Sequence, residues 1–229
     1  MKTITRFILA AALVALLPAA AATAAAPEEG WRLRFNGYWV DTNDVEVGRN
    51  AVGYRSRVEN KAAAGGGVSG EYRFGRRLGV ELGLLAGAEV GFTSTFEGGS
   101  VAATNTMAFD AACVGLNVHL TQGERVDLYA GPLVAYVSYA DMQLGVTNPP
   151  PGWPVVLVPA SVTFGDGIAL GANLGVDVPI GQRRWFFNAD LKYLDANPDA
   201  TLGATGAVAL RDSVAIDPLM VGIGFGYRF

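Results

Sequence analysis

Apolar and polar residues alternate along most of the chain. Through 31–40, Trp31, Leu33, Phe35, Gly37 and Trp39 hold one parity, and Arg32, Arg34, Asn36 and Tyr38 hold the other. The same period returns in Ile168, Leu170, Ala172, Leu174, Val176 and Val178 against Asn173 and Asp177. It returns again in Leu219, Val221, Ile223, Phe225, Tyr227 and Phe229 against Met220, three glycines and Arg228. A repeat of two puts alternate side chains on opposite faces of a strand, so these segments predict two-faced strands. Runs of this kind lie at about 31–40, 65–74, 78–92, 107–120, 125–141, 161–180, 185–194 and 215–229.

The joins between the runs alternate in length. Gly75-Arg76-Arg77, TQGE and GQRR are short, whereas 41–64, 93–106, 142–160 and 195–214 are long and polar or Pro-rich. Short turns on one side, long loops on the other and an even strand count with both termini on the short-turn side predict an all-β fold. The expected architecture is an eight-stranded antiparallel transmembrane β-barrel. A soluble β-sandwich would share the short strands and Gly-rich turns, but not a six-position apolar face ending in Tyr227 and Phe229. No segment beyond residue 26 suits a spanning helix. The longest uncharged one, 142–165, contains Pro149, Pro150, Pro151, Pro154 and Pro159.

Residues 1–26 follow a different pattern. Lys2 and Arg6 precede an apolar stretch from Phe7 to Leu17, Pro18 breaks it, and Ala24-Ala25-Ala26 supplies small residues for cleavage. A signal peptide over 1–26 and a barrel over 27–229 are expected. A retained anchor is the rival, weakened by the Ala-rich composition past Pro18. Of 229 residues, 51% are apolar and 17% charged, unlike a disordered chain or a basic nucleic-acid binder. Cleavage would leave 15 basic and 21 acidic side chains, net −6, so nucleic acid is not an expected partner. One Cys and one His exclude an internal disulfide and a His-cluster metal site. No metal, no cofactor and no catalytic residues are expected.

If the apolar parity faces lipid, the other parity near the short turns is charged: Arg32, Arg34, Glu71, Arg73, Glu81, Asp127, Asp177, Asp190, Lys192 and Arg228. Asn117, His119, Tyr129 and Asn188 share that face. The five basic and five acidic groups cancel. Because an unpaired buried charge is costly, a narrow lumen should pair them into a periplasmic plug. Farther from the turns the inward set becomes Gly67, Gly83, Leu85, Gly87, Leu133, Ala135, Val137, Gly167, Ala169, Gly171, Leu194, Met220 and Gly222, with Glu89 as an inward exception near the rim. Leu85, Leu133, Val137 and Met220 are the candidate substrate lumen, where the glycines are expected to leave room. An eight-stranded barrel is filled by side chains or holds one slender ligand, which excludes an open aqueous pore. Each methylene moved onto an apolar wall gains about 0.8 kcal/mol. Apolar cargo would be favoured down to the plug, blocked there, and released sideways.

For that release, the Cys113/Pro132 neighbourhood is the candidate lateral exit. The apolar parity of Val114, Leu116, Val118 and Leu120 would flip beyond Cys113 to put Ala111, Phe109 and Met107 on lipid, which suggests a β-bulge. Pro132, expected roughly opposite, removes a ladder hydrogen bond. The structural alternative is that such irregularities merely shape a small barrel.

Other motifs have plainer readings. The glycines of 65–70 match G-x-G-x-x-G, yet a strand follows where a dinucleotide site needs a helix. Asp41, Asn43, Asp44 and Glu46 lack the glycine of a calcium loop and read as solvated. Trp153 suits either a ligand mouth or a membrane rim. Cys113 reads as a small wall residue, and His119 with Asp127 as plug members rather than part of a hydrolytic triad.

The segments WRLRF, YAGPLVAY, FGDGIALGANLGVDVPI, WFFNADLKYLD and DPLMVGIGFGYRF together resemble the OmpW family of outer-membrane β-barrels, AlkL-like members included. The resemblance spans nearly the whole of 27–229, in order. One departure is Leu219 after Pro218, where the family often has Trp. It implies an eight-stranded barrel with a largely apolar interior, associated with passage of small hydrophobic molecules across the outer membrane of a Gram-negative bacterium. Implied partners are outer-membrane lipid and lipopolysaccharide, a small hydrophobic ligand, and the barrel-assembly machinery through the C-terminal strand. The alternatives are a structural or surface-receptor barrel without transport, and a membrane lipid hydrolase or acyl transferase.

Overall fold

The computed structural model describes residues 29–42, 45–47, 56–96, 101–121, 126–144, 160–181, 184–204 and 210–229. The expected signal peptide at 1–26, the loop residues Asn43 and Asp44, and Trp153 lie outside them. The strands are β1 Gly30–Asp41, β2 Val45–Val47, β3 Ser56–Lys61, β4 Ala63–Phe74, β5 Leu78–Phe96, β6 Val101–His119 and β7 Asp127–Tyr139. They continue as β8 Met142–Leu144, β9 Ala160–Phe164, β10 Gly167–Ile180, β11 Trp185–Asp195, β12 Asp199–Ala204, β13 Leu210–Ser213 and β14 Leu219–Arg228.

Eight of these close on themselves in the order β5-β4-β1-β14-β11-β10-β7-β6, with β6 pairing back onto β5. All the pairings are antiparallel. Closure satisfies the strand edges, the condition for crossing lipid as a sheet. β2 and β3 extend the wall beside the outer half of β5, while β8, β9, β12 and β13 form a second, four-stranded sheet. One expected strand is divided, 161–180 into β9 and β10 around Gly165-Asp166, and the last is shortened, with β14 beginning only at Leu219. Before β14, Asp217 adopts φ 41° and its carboxylate accepts the Ala196 N–H at 3.0 Å, which holds the bend.

The lipid face carries large apolar side chains, among them Phe35, Leu170, Leu174, Val221, Ile223 and Phe225. At the short-turn end two aromatic clusters, Trp31–Tyr72–Phe74 and Trp185–Tyr227–Phe229, ring the wall. Amphipathic rings at that depth mark the membrane interface.

Two expectations about facing are corrected. The parity of β6 does not flip: Met107, Phe109 and Ala111 are buried inside, continuing the inward series of Gly115, Asn117 and His119. The irregularity lies across from them in β5, where Ala86 and Gly87 together oppose Asp110. Gly87 takes φ 75° and donates its N–H to the Asp110 carboxylate at 3.1 Å. This one-residue bulge reverses β5 beyond it, so Glu89 is exposed rather than inward.

Candidate functional site

Alternation in all eight barrel strands delivers polar side chains to one level of the lumen, and Arg34 of β1 sits at its centre. Its Nε and Nη2 donate to Asp177 at 3.3 and 2.9 Å, its Nη1 to Glu81 at 3.3 Å, and its Nη2 also to Glu71. The guanidinium lies 4.8 Å from the Tyr129 ring centre and 5.8 Å from that of Phe186. Arg32 bridges Asp127 at 2.7 Å and Asp177 at 2.9 Å, and Arg73 reaches Asp127 at 2.9 Å. Lys192 donates to Asp190 at 2.8 Å and Glu81 at 3.3 Å. Arg228 stacks over Phe186 at 5.2 Å. All ten residues expected to share this face are thus brought to one place. A planar fork serving several carboxylates is the geometry that repays burial of such groups.

His119 spans two acids, with Nδ1 2.9 Å from Asp127 and Nε2 2.6 Å from Glu71. Both ring nitrogens are engaged by carboxylates, which leaves none to activate a hydroxyl. An amide layer covers the ions. Asn117 donates to Glu81 at 3.0 Å, Asn173 to Asn117 at 2.8 Å, Asn188 to Asp177 at 2.8 Å and Asn36 to Asn188 at 2.7 Å. Asn36, Tyr38, Asn173 and Phe186 were absent from the expected network, although Asn36 and Tyr38 share the parity of Arg32 and Arg34, which was the available signal. β14 makes space for the network with glycines. A Cβ at Gly222 would collide with Asp190, at Gly224 with Asn36, and at Gly226 with Phe186.

Above this layer the interior turns apolar. Leu85, Leu133, Val137 and Met220 are all buried there and pack with Val40, Met107, Phe109, Ala135, Ala169, Leu194 and Ile216. Beside Gly67 and Gly222 the expected room is taken, since a Cβ at Gly67 would lie 2.7 Å from the Tyr38 ring and one at Gly222 would lie 2.5 Å from it, whereas a Cβ at Gly87 or Gly167 would meet nothing within 4 Å. Among the described residues a cavity of about 20 Å³ lies here, floored by Tyr38, Glu81 and Lys192 and walled by Leu85, Leu133 and Met220. That is space for about one water.

Cys113 and Pro132 do not face each other. Cys113 points inward, opposite Gly83 of β5 and Ala135 of β7, and its sulfur occupies the space a Gly83 side chain would need. Pro132 faces lipid beside the Leu116 row, where the β6–β7 ladder skips from Gly115↔Leu133 to Val118↔Ala130 without a change of register. The strands stay close across that gap: a Cβ on Gly131 would collide with the Leu116 carbonyl.

A family model described as the OmpW family matches residues 39–229. No curated protein matches the chain. The crystal structure of the outer-membrane protein OprG from Pseudomonas aeruginosa superimposes with a TM-score of 0.66 at 20% identity, over 88% of this chain and 97% of that one. The AlkL structure in DMPC bilayers does so with a TM-score of 0.56 at 19% identity, over 91% and 94%. The solution structure of Escherichia coli outer-membrane protein W gives 0.52 at 18% identity, over 88% and 98%. At these identities the likeness concerns the fold.

Proposed function

The chain belongs to the OmpW family, outer-membrane β-barrels of Gram-negative bacteria, and from that premise we propose that it passes small hydrophobic molecules through its outer lumen and releases them sideways into the bilayer. The observation that carries this reading is the division of the lumen into an apolar storey around Leu85, Leu133, Val137 and Met220 and a closed ionic layer from Arg32 to Lys192. The ionic layer acts as a periplasmic plug, because apolar cargo crossing it would have to displace paired charges. The cavity of about 20 Å³ is a resting state. Cargo enters by displacing side chains, Met220 first among them because its unbranched thioether repacks readily.

Sideways release needs a weak place in the wall, and the Cys113/Pro132 neighbourhood, with its unpaired Leu116 row, is one such place. Lipopolysaccharide surrounds the outer rim, and β14 serves as the strand read by the barrel-assembly machinery. The test is arrival of an apolar fluorophore in the membrane of cells with and without the protein. Leu133→Asn and Val137→Asn, checked for folding by heat-modifiable electrophoretic migration, should slow it. The tight filling of the lumen favours one other reading, a structural or surface-receptor barrel. Equal permeability of cells with and without the protein would establish that reading instead.

A further inference from the structure

The charges of the ionic layer balance in number but not in place. Arg34 and Lys192 draw on Glu71, Glu81, Asp177 and Asp190. Toward the short turns Arg32, Arg73 and His119 converge on Asp127, and Arg32 also takes a share of Asp177. Arg228 lies beside them, in register with Arg32 on the neighbouring strand, and its guanidinium stacks on the Phe186 ring at 5.2 Å. Among the described residues nothing accepts a hydrogen bond from it. Its Nε is buried without a partner, and its terminal nitrogens make no ion pair. The Arg73 Nε is a second buried donor without a partner.

Like charges directly opposite on paired strands repel, and a buried donor left unmade costs free energy, so this end of the layer lacks an acceptor. The surrounding chain adds more positive charge. The short-turn segments 75–77, 120–126 and 181–184 hold five arginines and one glutamate, and the other acids at this end are Glu28, Glu29 and the terminal carboxylate. Arg76, Arg77 and Arg184 are exposed there. A charged mouth in a low-dielectric wall focuses its field and concentrates ions of opposite sign. Arg228 has the lumen-facing parity of β14, so the mouth that it lines opens downward to the periplasm and not through the wall.

We propose that the periplasmic mouth of the barrel is an oxyanion site, in which Arg228 and Arg73, with Arg32 beside them, take a phosphate group. The planar guanidinium fork matches phosphate in two-point contacts, and a group with several acceptor oxygens serves more than one fork at once. A phosphate seated there supplies the acceptor that Asp127 alone cannot provide and separates the charges of Arg32 and Arg228. The site is independent of the transport reading, since it lies on the far side of the ionic layer from the apolar storey. Phosphate dissolved in the periplasm and the headgroup of an inner-leaflet phospholipid offer the same chemistry.

The test uses the full barrel folded in neutral maltoside micelles, with inorganic phosphate as the probe and sodium chloride holding ionic strength constant. Phosphate should raise the urea midpoint of unfolding along a saturating curve, and adding the protein should broaden the phosphorus NMR line of phosphate several-fold. Arg228→Gln, confirmed as folded by heat-modifiable migration, should lose most of both effects. Arg228→Lys, which keeps the charge without the fork, should retain a smaller part of them. A parental midpoint that follows ionic strength alone, whatever the anion, overturns the site without recourse to a variant, and full effects in folded Arg228→Gln overturn it as well. Micelles doped with phosphatidylglycerol and free of phosphate separate the sources. A midpoint rise that Arg228→Gln abolishes assigns the group to a lipid headgroup, and no rise, beside a saturating response to phosphate, assigns it to a soluble one.

Discussion

Arg34 of β1 and Asp177 of β10 meet in a two-point contact across the lumen, 3.3 Å from Nε to Oδ1 and 2.9 Å from Nη2 to Oδ2, although β14 and β11 separate their strands in the wall. Both side chains are fully buried, and the same guanidinium also serves Glu71 and Glu81. The contact ties strands across the lumen together, so the charge layer braces the barrel.

Removing Arg34 should accordingly cost far more than removing a surface charge. Arg34→Met leaves three buried carboxylates short of a partner and is expected to lower stability by about 3–5 kcal/mol. Arg34→Lys, which keeps the charge but lacks the fork, should fall between it and the parent. Urea unfolding followed by heat-modifiable migration measures both, and equal midpoints for Arg34→Met and the parent would show that the network does not brace the wall.

Two glycines should respond oppositely to one methyl group. At Gly224 a Cβ would run into the Phe35 carbonyl and Asn36, so Gly224→Ala is expected to cost about 1–3 kcal/mol and to reduce folded protein in the membrane. At Gly37, on the lipid face, a Cβ meets nothing within 4 Å, and Gly37→Ala should be neutral or better. Paired unfolding curves make the comparison, which fails if both shift alike.

Tyr38 should control the free volume of the lumen. Tyr38→Ala removes the ring that fills the space beside Gly67 and Gly222, and is expected to lower stability by about 3–5 kcal/mol while speeding probe influx. Tyr38→Phe keeps the volume and loses the hydroxyl's two hydrogen bonds, one donated to Asp190 at 3.0 Å and one accepted from Asn36 at 3.3 Å. It should cost about 1–3 kcal/mol and leave influx near the parental rate. Slower influx in Tyr38→Ala would contradict a lumen route.

Pro132→Val restores an N–H in the interrupted stretch of the β6–β7 ladder, and with release at that gap it should slow influx of the apolar probe; an influx rate equal to the parental one would remove the gap as the release point.

The short-turn half of the barrel was the more legible half. There one parity is charged and the other apolar, so the facing of Arg34, Glu71, Asp127 and Lys192 follows from alternation alone. Toward the loops both sides of the wall are apolar and the contrast vanishes. Met107, Phe109 and Ala111 look alike as lipid-facing or lumen-facing residues, and their burial is visible only once β6 is paired. Glu89 was misplaced for a related reason: a bulge at Ala86 and Gly87 costs one residue of register, and nothing in the alternation of β5 marks it. The break between β9 and β10 at Gly165-Asp166 was hidden inside a run that reads as one continuous strand.

The number of strands, their order and the polarity of the lower lumen were set by local alternation and turn length, because a strand's period of two acts within a few residues. Which ions pair, how Tyr38 closes the room left by glycines on β4 and β14, and where the wall comes apart were decided by ring closure. Those outcomes depend on register summed around eight strands, which brings together residues as far apart as Arg34 and Asp177 and leaves Gly165 and Asp166 between two sheets.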